Sequence, residues 1–244
     1  MIKFRTKIID IIEEAKGTRT YLLERPKDFT WREGAHTHVG LIGFDEGEKP
    51  NKSLVRHMSI MTLESEDSIG FTTRITSELS EFKRRLIELN IGDEVILFKI
   101  GSKMYLRRMS KPLVFLSMGV GIATMRPLIK EFVNDNEGIP SITNINVDST
   151  GEFIYKKELD ELSSSNSNYK NYWLNSRISF YETLNQLPNP KDSIYYVVGS
   201  DLFVLNVVYN LRDKGVSSNN ILIDKKDEIV QKYFEHYEKN KKNN

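Results

Sequence analysis

Apolar and polar residues alternate over short intervals through the first hundred or so residues, which is the pattern of half-buried β-strands. The runs that predict strands are KFRTKIIDII, TRTYLLER, HTHVGLIG, LVRHMSIMT, IGFTTRI, DEVILFKI and MYLRR. Between the fifth and sixth runs, Phe82, Leu86 and Leu89 recur at helical spacing, so a helix is predicted over Ser80–Leu89 with the serine as its cap. Short strands interrupted by one helix favour a closed antiparallel β-barrel.

After Lys111 the pattern changes to continuous apolar runs that alternate with helix-length segments. Buried parallel strands are predicted for PLVFLSMG, ITNINV, YYVVG and ILID. Helices between them are predicted at Thr124–Asn134, Tyr155–Leu162 and Asp201–Lys214. The second half is therefore predicted to be a doubly wound α/β domain, with the boundary near residue 108. The polar stretches SSSNSN and EKNKKNN are expected to be a solvated loop and a frayed terminus.

Composition narrows the possible chemistry. The 244 residues carry a net charge of +1, which gives no argument for a nucleic acid or an anionic membrane as partner. Cysteine is absent, so disulfides, cysteine-ligated metal clusters and thiol catalysis are excluded, and redox chemistry would need a bound organic cofactor. The first residues resemble neither a signal peptide nor a membrane span, and a cytoplasmic location is expected.

A glycine-rich turn lies between the predicted strand PLVFL and the helix that follows it. It reads Ser117-Met118-Gly119-Val120-Gly121-Ile122-Ala123-Thr124. Such a turn brings backbone N–H groups close to a pyrophosphate, while the helix N-terminus adds partial positive charge. A purely structural role for the two glycines is the alternative.

Two further segments combine cations and hydroxyls in the predicted barrel. In Arg56-His57-Met58-Ser59, the guanidinium can grip a phosphate while the serine bonds a polar ring edge. Thr73-Arg74, followed by Ser80-Glu81-Phe82-Lys83, places a hydroxyl, a helix start and a lysine together, which suits an anion. A plain surface strand and a helix cap are the alternatives for these two segments.

The three segments in this order resemble the ferredoxin–NADP reductase superfamily, in particular its single-chain reductases without an iron–sulfur cluster. Arg56–Ser59 is similar to the family's Arg-x-aromatic-Ser/Thr flavin segment, and Ser80 to its serine near the flavin pyrophosphate. Met118–Thr124 is similar to Gly-Gly-x-Gly-Ile-Thr-Pro, and Val198-Gly199-Ser200 to Cys-Gly-Pro. Arg126 and Phe82-Lys83 also match positions in such reductases. The similarity covers nearly the whole chain.

The resemblance implies an FAD-binding β-barrel over residues 1–108 and an NAD(P)-binding α/β domain over residues 109–244. It implies that hydride passes from NADH or NADPH to FAD, and electrons onward to a small molecule or a redox protein. Ser59, expected at the flavin N5/O4 edge, is the implied catalytic residue. The implied flavin-binding residues are Arg56, His57, Met58, Ser59, Thr73, Arg74, Ser80, Phe82 and Lys83. The implied nucleotide-binding residues are Gly119, Val120, Gly121, Ile122, Thr124, Asp148, Gly199 and Ser200.

Departures from the family pattern keep a second hypothesis open. Met58 stands where the family has an aromatic ring on the flavin, and a thioether can still contact a ring favourably. Other departures fall in the second half, at Met118, Thr124, Val198 and Ser200. The alternative is therefore a flavin-binding or partner-binding module with a degenerate nicotinamide site. A third hypothesis is a protein of the same fold that binds neither ligand.

Asp148 and the histidines complete the candidate residues. Asp148 follows the second predicted parallel strand, where an acid bonds the ribose 2′-hydroxyl, so NADH is favoured over NADPH. Two alternatives stay open: Asp148 caps the turn before Gly151, or Arg177 reaches a 2′-phosphate. His36 and His38 would point the same way from one strand and are expected on the barrel face, and no metal ligand is predicted.

Overall fold

The computed structural model describes residues 2–75 and 78–242, and the chain divides into two compact units. The first unit comprises Met1–Tyr105 with Arg126–Leu128, and the second comprises Leu106–Met125 with Ile129–Asn244. Each unit has a hydrophobic core of its own, as a separate domain does.

The first unit is an antiparallel sheet of six strands in the order β4-β3-β6-β1-β2-β5. Its elements are β1 (Lys3–Ala15), β2 (Thr18–Glu24), β3 (Ala35–Leu41), β4 (Val55–Ser59), β5 (Ser68–Arg74), α1 (Glu81–Leu86) and β6 (Glu94–Ser102). Just beyond β4, the Met61 N–H donates to the Gly70 carbonyl of β5 at 2.8 Å, which links the two outermost strands. The predicted antiparallel barrel is confirmed.

Two element predictions for the first 108 residues need correction. The seventh run, MYLRR, forms no strand: Met104 and Leu106 are buried, but the segment is irregular. Alternating burial along an irregular segment produced the strand-like pattern. The predicted helix Ser80–Leu89 is shorter as well, because α1 ends at Leu86 and single-turn hydrogen bonds follow it, such as that from the Leu89 N–H to the Leu86 carbonyl.

The second unit is a parallel sheet of five strands in the order β11-β10-β7-β8-β9, with helices between the strands. Its elements are β7 (Leu113–Met118), α2 (Ile122–Asn134), β8 (Ile142–Val147), α3 (Lys156–Ser165), β9 (Tyr169–Leu174), α4 (Arg177–Gln186), β10 (Ile194–Val198), α5 (Asp201–Asp213), β11 (Ile221–Ile223) and α6 (Asp227–Lys242). The strand order reverses between β7 and β10, so the predicted doubly wound α/β fold is confirmed and its switch point lies between these strands.

The second unit differs from the sequence prediction in three places. The edge strand β9 is only half-buried along most of its length and lacks a continuous apolar run, and α4 follows it directly. The polar stretch expected to be a loop begins with the last turn of α3, at Ser163. The Lys-rich tail expected to be frayed belongs to α6 up to Lys242, with Glu238 paired to Arg212 at 3.0 Å.

Within residues 2–75 and 78–242, no helix is long and apolar enough to cross a membrane.

Candidate cofactor sites

Three cationic side chains of the first unit lie close together beside α1. The Arg56 guanidinium stands 5.6 Å from the ring centroid of Phe82, and the Lys83 ammonium donates to the Arg74 carbonyl. Burial, and then the positive charges of Arg56 and Arg74, lower the pKa of Lys83. Because like charges at short range repel one another, a bound anion would stabilise this cluster, and a pyrophosphate fits its donors.

The remaining residues of the predicted flavin segment lie along β4. Met58 is half-buried and packs against the barrel core, while His57 is exposed and its ring contacts His36 and His38 at centroid distances of 4.2 and 5.4 Å. Ser59 is half-buried and pairs with His36 in the ladder between β3 and β4. The structure thus places Arg56 among the cations and His57 among the histidines.

Ser80, Phe82 and Thr73 also have structural roles. The Ser80 hydroxyl caps α1, accepting from the Lys83 N–H at 3.5 Å. Phe82 is fully buried in the barrel core, so its ring holds α1 in place and supports the Arg56 guanidinium. Thr73 is buried in β5. The helix-cap alternative raised for this segment is therefore realised at Ser80, and flavin contacts by these three residues stay predictions.

In the second unit, the glycine-rich turn joins β7 to α2 at the switch point of the sheet. Gly119 has φ +56°, the left-handed region that favours glycine. A Cβ added at Gly121 would lie 2.8 Å from the Val198 carbonyl oxygen, and one added at Gly199 would lie 3.2 Å from the Met118 Cβ. The carboxyl ends of β7 and β10 therefore approach closely here, where folds of this kind bind their ligands.

The other predicted nucleotide-site residues surround this turn. Val120 is half-buried, whereas Ile122 and Thr124 are buried in the first turns of α2. The Ser200 hydroxyl caps α5, accepting from the Phe203 N–H at 3.3 Å. Gly199 and Ser200 thus bring the start of α5 next to the glycine-rich turn.

A buried polar pair beneath the turn was missed by sequence reasoning. Asn146 and Ser117 are 1% and 0% exposed, and the Asn146 Nδ2 donates to the Ser117 Oγ at 2.8 Å and to the Gly119 carbonyl at 3.3 Å. The signal was present in the strand ITNINV, because asparagines inside a buried strand must find hydrogen-bond partners.

Asp148 and Arg177 occupy different surroundings near the same edge of the sheet. Asp148 is 4% exposed, and its Oδ1 accepts from the Thr150 N–H at 3.0 Å and the Thr150 hydroxyl at 2.8 Å. Its carbonyl accepts from the Gly151 N–H at 3.1 Å. These contacts are the ones expected if Asp148 caps the turn before Gly151. Arg177, at the start of α4, is exposed, and its Nη2 lies 3.8 Å from the Met118 Sδ, beside the glycine-rich turn.

His36, His38 and His57 form a cluster on the face of β3 and β4. Burial, and then the charges of His57, His38 and Lys103, lower the pKa of His36 to about 4. In the described part of the chain, no group of three or more His, Cys, Asp or Glu side chains has an arrangement that could hold a metal ion.

Comparisons with known proteins bear on the fold. No protein-family model matches the chain. The F subunit of the Na(+)-translocating NADH-quinone reductase of Methylococcus capsulatus is 26% identical over 156 residues, a match that covers 57% of this chain and 38% of the relative's length. A ferredoxin NADP+ reductase from Neisseria gonorrhoeae, solved with bound FAD and NADP, is 17% identical with a TM-score of 0.77, covering 91% of this chain and 98% of the reductase.

A second similar structure is the FAD/NAD-binding domain of a nitric oxide dioxygenase from Vibrio cholerae. It is 15% identical with a TM-score of 0.72, covering 90% of this chain and 97% of that domain. At these identities the likeness establishes the fold. The chain has the fold of the ferredoxin–NADP reductase superfamily, as its motifs predicted.

Proposed function

We propose that this protein is a flavin-dependent oxidoreductase in which hydride passes from NADH or NADPH to bound FAD and electrons pass onward to an acceptor. The observation that carries the proposal is the cluster of Arg56, Arg74 and Lys83 in the flavin-binding unit of this fold. A small molecule or a redox protein as acceptor, and a cytoplasmic location, stay predictions from the sequence.

The flavin half of the proposal assigns roles to residues of the first unit, residues 1–108 in the predicted division. Arg56, Arg74 and Lys83 would hold the pyrophosphate through charge-assisted hydrogen bonds, and Ser59 would bond the N5/O4 edge of the ring. Met58 would contact the ring through its thioether, in place of the family's aromatic side chain. When bound, FAD supplies the two-electron chemistry, and the chain supplies position and electrostatics.

The nucleotide half assigns the pyrophosphate of NAD(P)H to the turn Gly119–Gly121, in residues 109–244. For the ribose, the contacts of the two side chains support the alternative raised for Arg177 over the contact expected from Asp148. The Asp148 carboxylate already accepts two hydrogen bonds within its own turn, whereas Arg177 is exposed beside the glycine-rich turn. We therefore propose that Arg177 binds a 2′-phosphate and that NADPH is used, in place of the NADH favoured from Asp148.

The alternative function is a flavin-binding module with a degenerate nicotinamide site, and Met118 is the observation that favours it. A glycine is usual at this position, but here a half-buried thioether lies 3.8 Å from the Arg177 Nη2. A side chain at this place takes up room that a nucleotide would use.

The proposed flavin is tested by unfolding the purified protein and identifying what it releases. FAD in near one-to-one amount, separated from FMN by chromatography, is the expected result. Protein purified without flavin is next incubated with FAD and with FMN. Uptake of neither would overturn the proposal, and uptake of FMN alone would overturn its pyrophosphate assignment.

A further inference from the structure

We propose that Asn146 is a positioning residue for the glycine-rich turn, which it holds so that the Val120 N–H faces the nucleotide's phosphates. This inference rests on the nucleotide site proposed above and names a residue outside the motif that prompted it.

The Asn146 side chain lies under the turn and bonds two of its residues. It extends from β8, the neighbour of β7, and is 1% exposed. Its Nδ2 donates to the Ser117 Oγ at 2.8 Å and to the Gly119 carbonyl at 3.3 Å, with the Ser117 carbonyl as a further acceptor at 3.4 Å. Ser117 is itself fully buried at the end of β7. The Asn146 amide is thus anchored to Ser117 of the strand, and it bonds the carbonyl of Gly119 in the turn.

The Gly119 carbonyl has a second donor, the Ile122 N–H at the start of α2. Two donors from different elements fix the direction of this carbonyl, and with it the plane of the peptide that joins Gly119 to Val120. In a trans peptide, the N–H points away from the carbonyl on the opposite side of the plane. The Val120 N–H therefore lies on the side of this peptide opposite to the carbonyl that buried Asn146 bonds.

The positive φ of Gly119 explains why its carbonyl needs the hydrogen bond from Asn146. At +56°, this glycine has access to conformations that other residues avoid, so its carbonyl could rotate if only the Ile122 N–H held it. A rotated peptide would present a carbonyl oxygen, rather than an N–H, to an anionic phosphate. Asn146 is thus expected to raise nucleotide affinity without touching the nucleotide.

The same strand offers a matched control. Asn144 is also a fully buried asparagine of β8, but its Nδ2 donates to the Asn171 Oδ1 at 3.1 Å, on the side of β9. Asn146→Leu and Asn144→Leu each replace a buried amide by an apolar group of similar size, so both are expected to lower the melting temperature. Only Asn146→Leu should affect the turn. Asn146→Ala and Asn144→Ala, which also lose the Nδ2 donor and add no charge, serve if a leucine variant fails to fold.

The experiment measures the Kd of NADP+ and of NAD+ by titration, together with amide hydrogen exchange at Ile122 in the ligand-free protein. Asn146→Leu should weaken binding of the preferred nucleotide about ten-fold, the order expected for one charge-assisted hydrogen bond, and should speed exchange at Ile122. Asn144→Leu should leave both near wild type. Equal effects of the two substitutions on Kd and exchange would overturn the inference.

Failure of the proposed nucleotide site gives a different result. If the wild-type protein binds neither NADP+ nor NAD+, the nucleotide site is wrong, and the assignment of the Val120 N–H to phosphates is wrong with it. If the wild-type protein binds nucleotide but Asn146→Leu leaves the Kd and Ile122 exchange unchanged, the site stands and the positioning role is wrong.

Discussion

The Arg56 guanidinium lies near the Phe82 ring and close enough to Lys83 for its charge to lower the pKa of that ammonium. Replacing Arg56 by Ala should remove a charge-assisted phosphate contact of about 1.5–3 kcal/mol, which weakens FAD binding about ten- to hundred-fold. Flavin content and FAD titration check this. Arg5→Ala, which removes an exposed arginine paired with Glu94, is the control and should keep its flavin. Wild-type FAD affinity in folded Arg56→Ala protein would show that Arg56 does not bind the flavin.

A nucleotide contact through Arg177 predicts a preference for NADPH, whereas a contact through Asp148 predicts a preference for NADH. Because Arg177 is exposed beside the glycine-rich turn, Arg177→Ala should lower kcat/KM for NADPH about ten-fold and leave that for NADH nearly unchanged. Asp148→Asn, which can still accept the hydrogen bonds of the turn through Oδ1, should leave the ratio of the two values unchanged. A ratio that moves towards NADPH in Asp148→Asn would instead identify Asp148 as the determinant, and would restore the expectation of NADH.

Among the elements of the second unit, the close approach of the turn after β7 to the end of its parallel neighbour β10 depends on Gly121. A Cβ there would lie 2.8 Å from the Val198 carbonyl oxygen and 3.1 Å from its Cγ1, so Gly121→Ala forces the two strand ends apart. We expect a loss of about 1–3 kcal/mol in the free energy of unfolding of the second unit. Urea unfolding followed by tryptophan fluorescence, with Trp31 of the first unit replaced by Phe so that Trp173 alone reports, measures this loss.

Flavin content should survive the same substitution, because the cation cluster belongs to the first unit. Gly47→Ala, whose added Cβ would meet no atom closer than 3.6 Å, is the control for a harmless glycine replacement. Wild-type stability in Gly121→Ala would mean that the close approach is not needed.

The histidine cluster on β3 and β4 predicts a pH dependence of stability. His36 has a pKa of about 4 in the folded protein against an ordinary 6.5, so the unfolded chain binds a proton more readily than the folded one. The contribution of neutral His36 to the free energy of unfolding is therefore fully present above pH 6.5, and it is lost as the pH falls towards 4. Urea unfolding at several pH values should show a shallower decline in His36→Gln than in wild type.

The control is His236→Gln, because His236 lies on α6 outside the cluster. This substitution shows the effect of removing a histidine elsewhere in the chain. The same decline in His36→Gln as in wild type would exclude His36 as its source.

Strands of the parallel sheet that carry a continuous apolar run could be predicted from the sequence, including the edge strand β11, whereas the half-exposed edge strand β9 could not. PLVFL and YYVV lie at the centre of the parallel sheet and are continuously apolar. The edge strand YKNYWL is half-exposed, so its periodicity is weak. The run MYLRR alternates only because Met104 and Leu106 are buried.

For the candidate sites, the motif positions could be read from the sequence and their partners could not. The glycine-rich turn was visible because only glycine adopts its backbone freely. Asn146 was not, because its role depends on which strand lies beside β7. The turn-capping role of Asp148 and the position of Arg177 likewise depend on contacts between segments that are distant in sequence.

At the scale of the whole molecule, two units with separate cores each carry one candidate anion site. The chain has no cysteine, so the redox chemistry proposed for it requires a bound organic cofactor. Substitutions at Arg56 and at Gly121 should therefore affect different steps: flavin retention in the first case and reduction by the nucleotide in the second.

Anaerobic addition of NADPH or NADH to the purified protein distinguishes the oxidoreductase from the flavin-binding module. The wild-type protein should be yellow, and its visible flavin absorption should bleach on addition of nucleotide and return when air is admitted. A yellow protein that neither nucleotide bleaches would contradict the oxidoreductase and support the flavin-binding module. A colourless protein that takes up no FAD would contradict both.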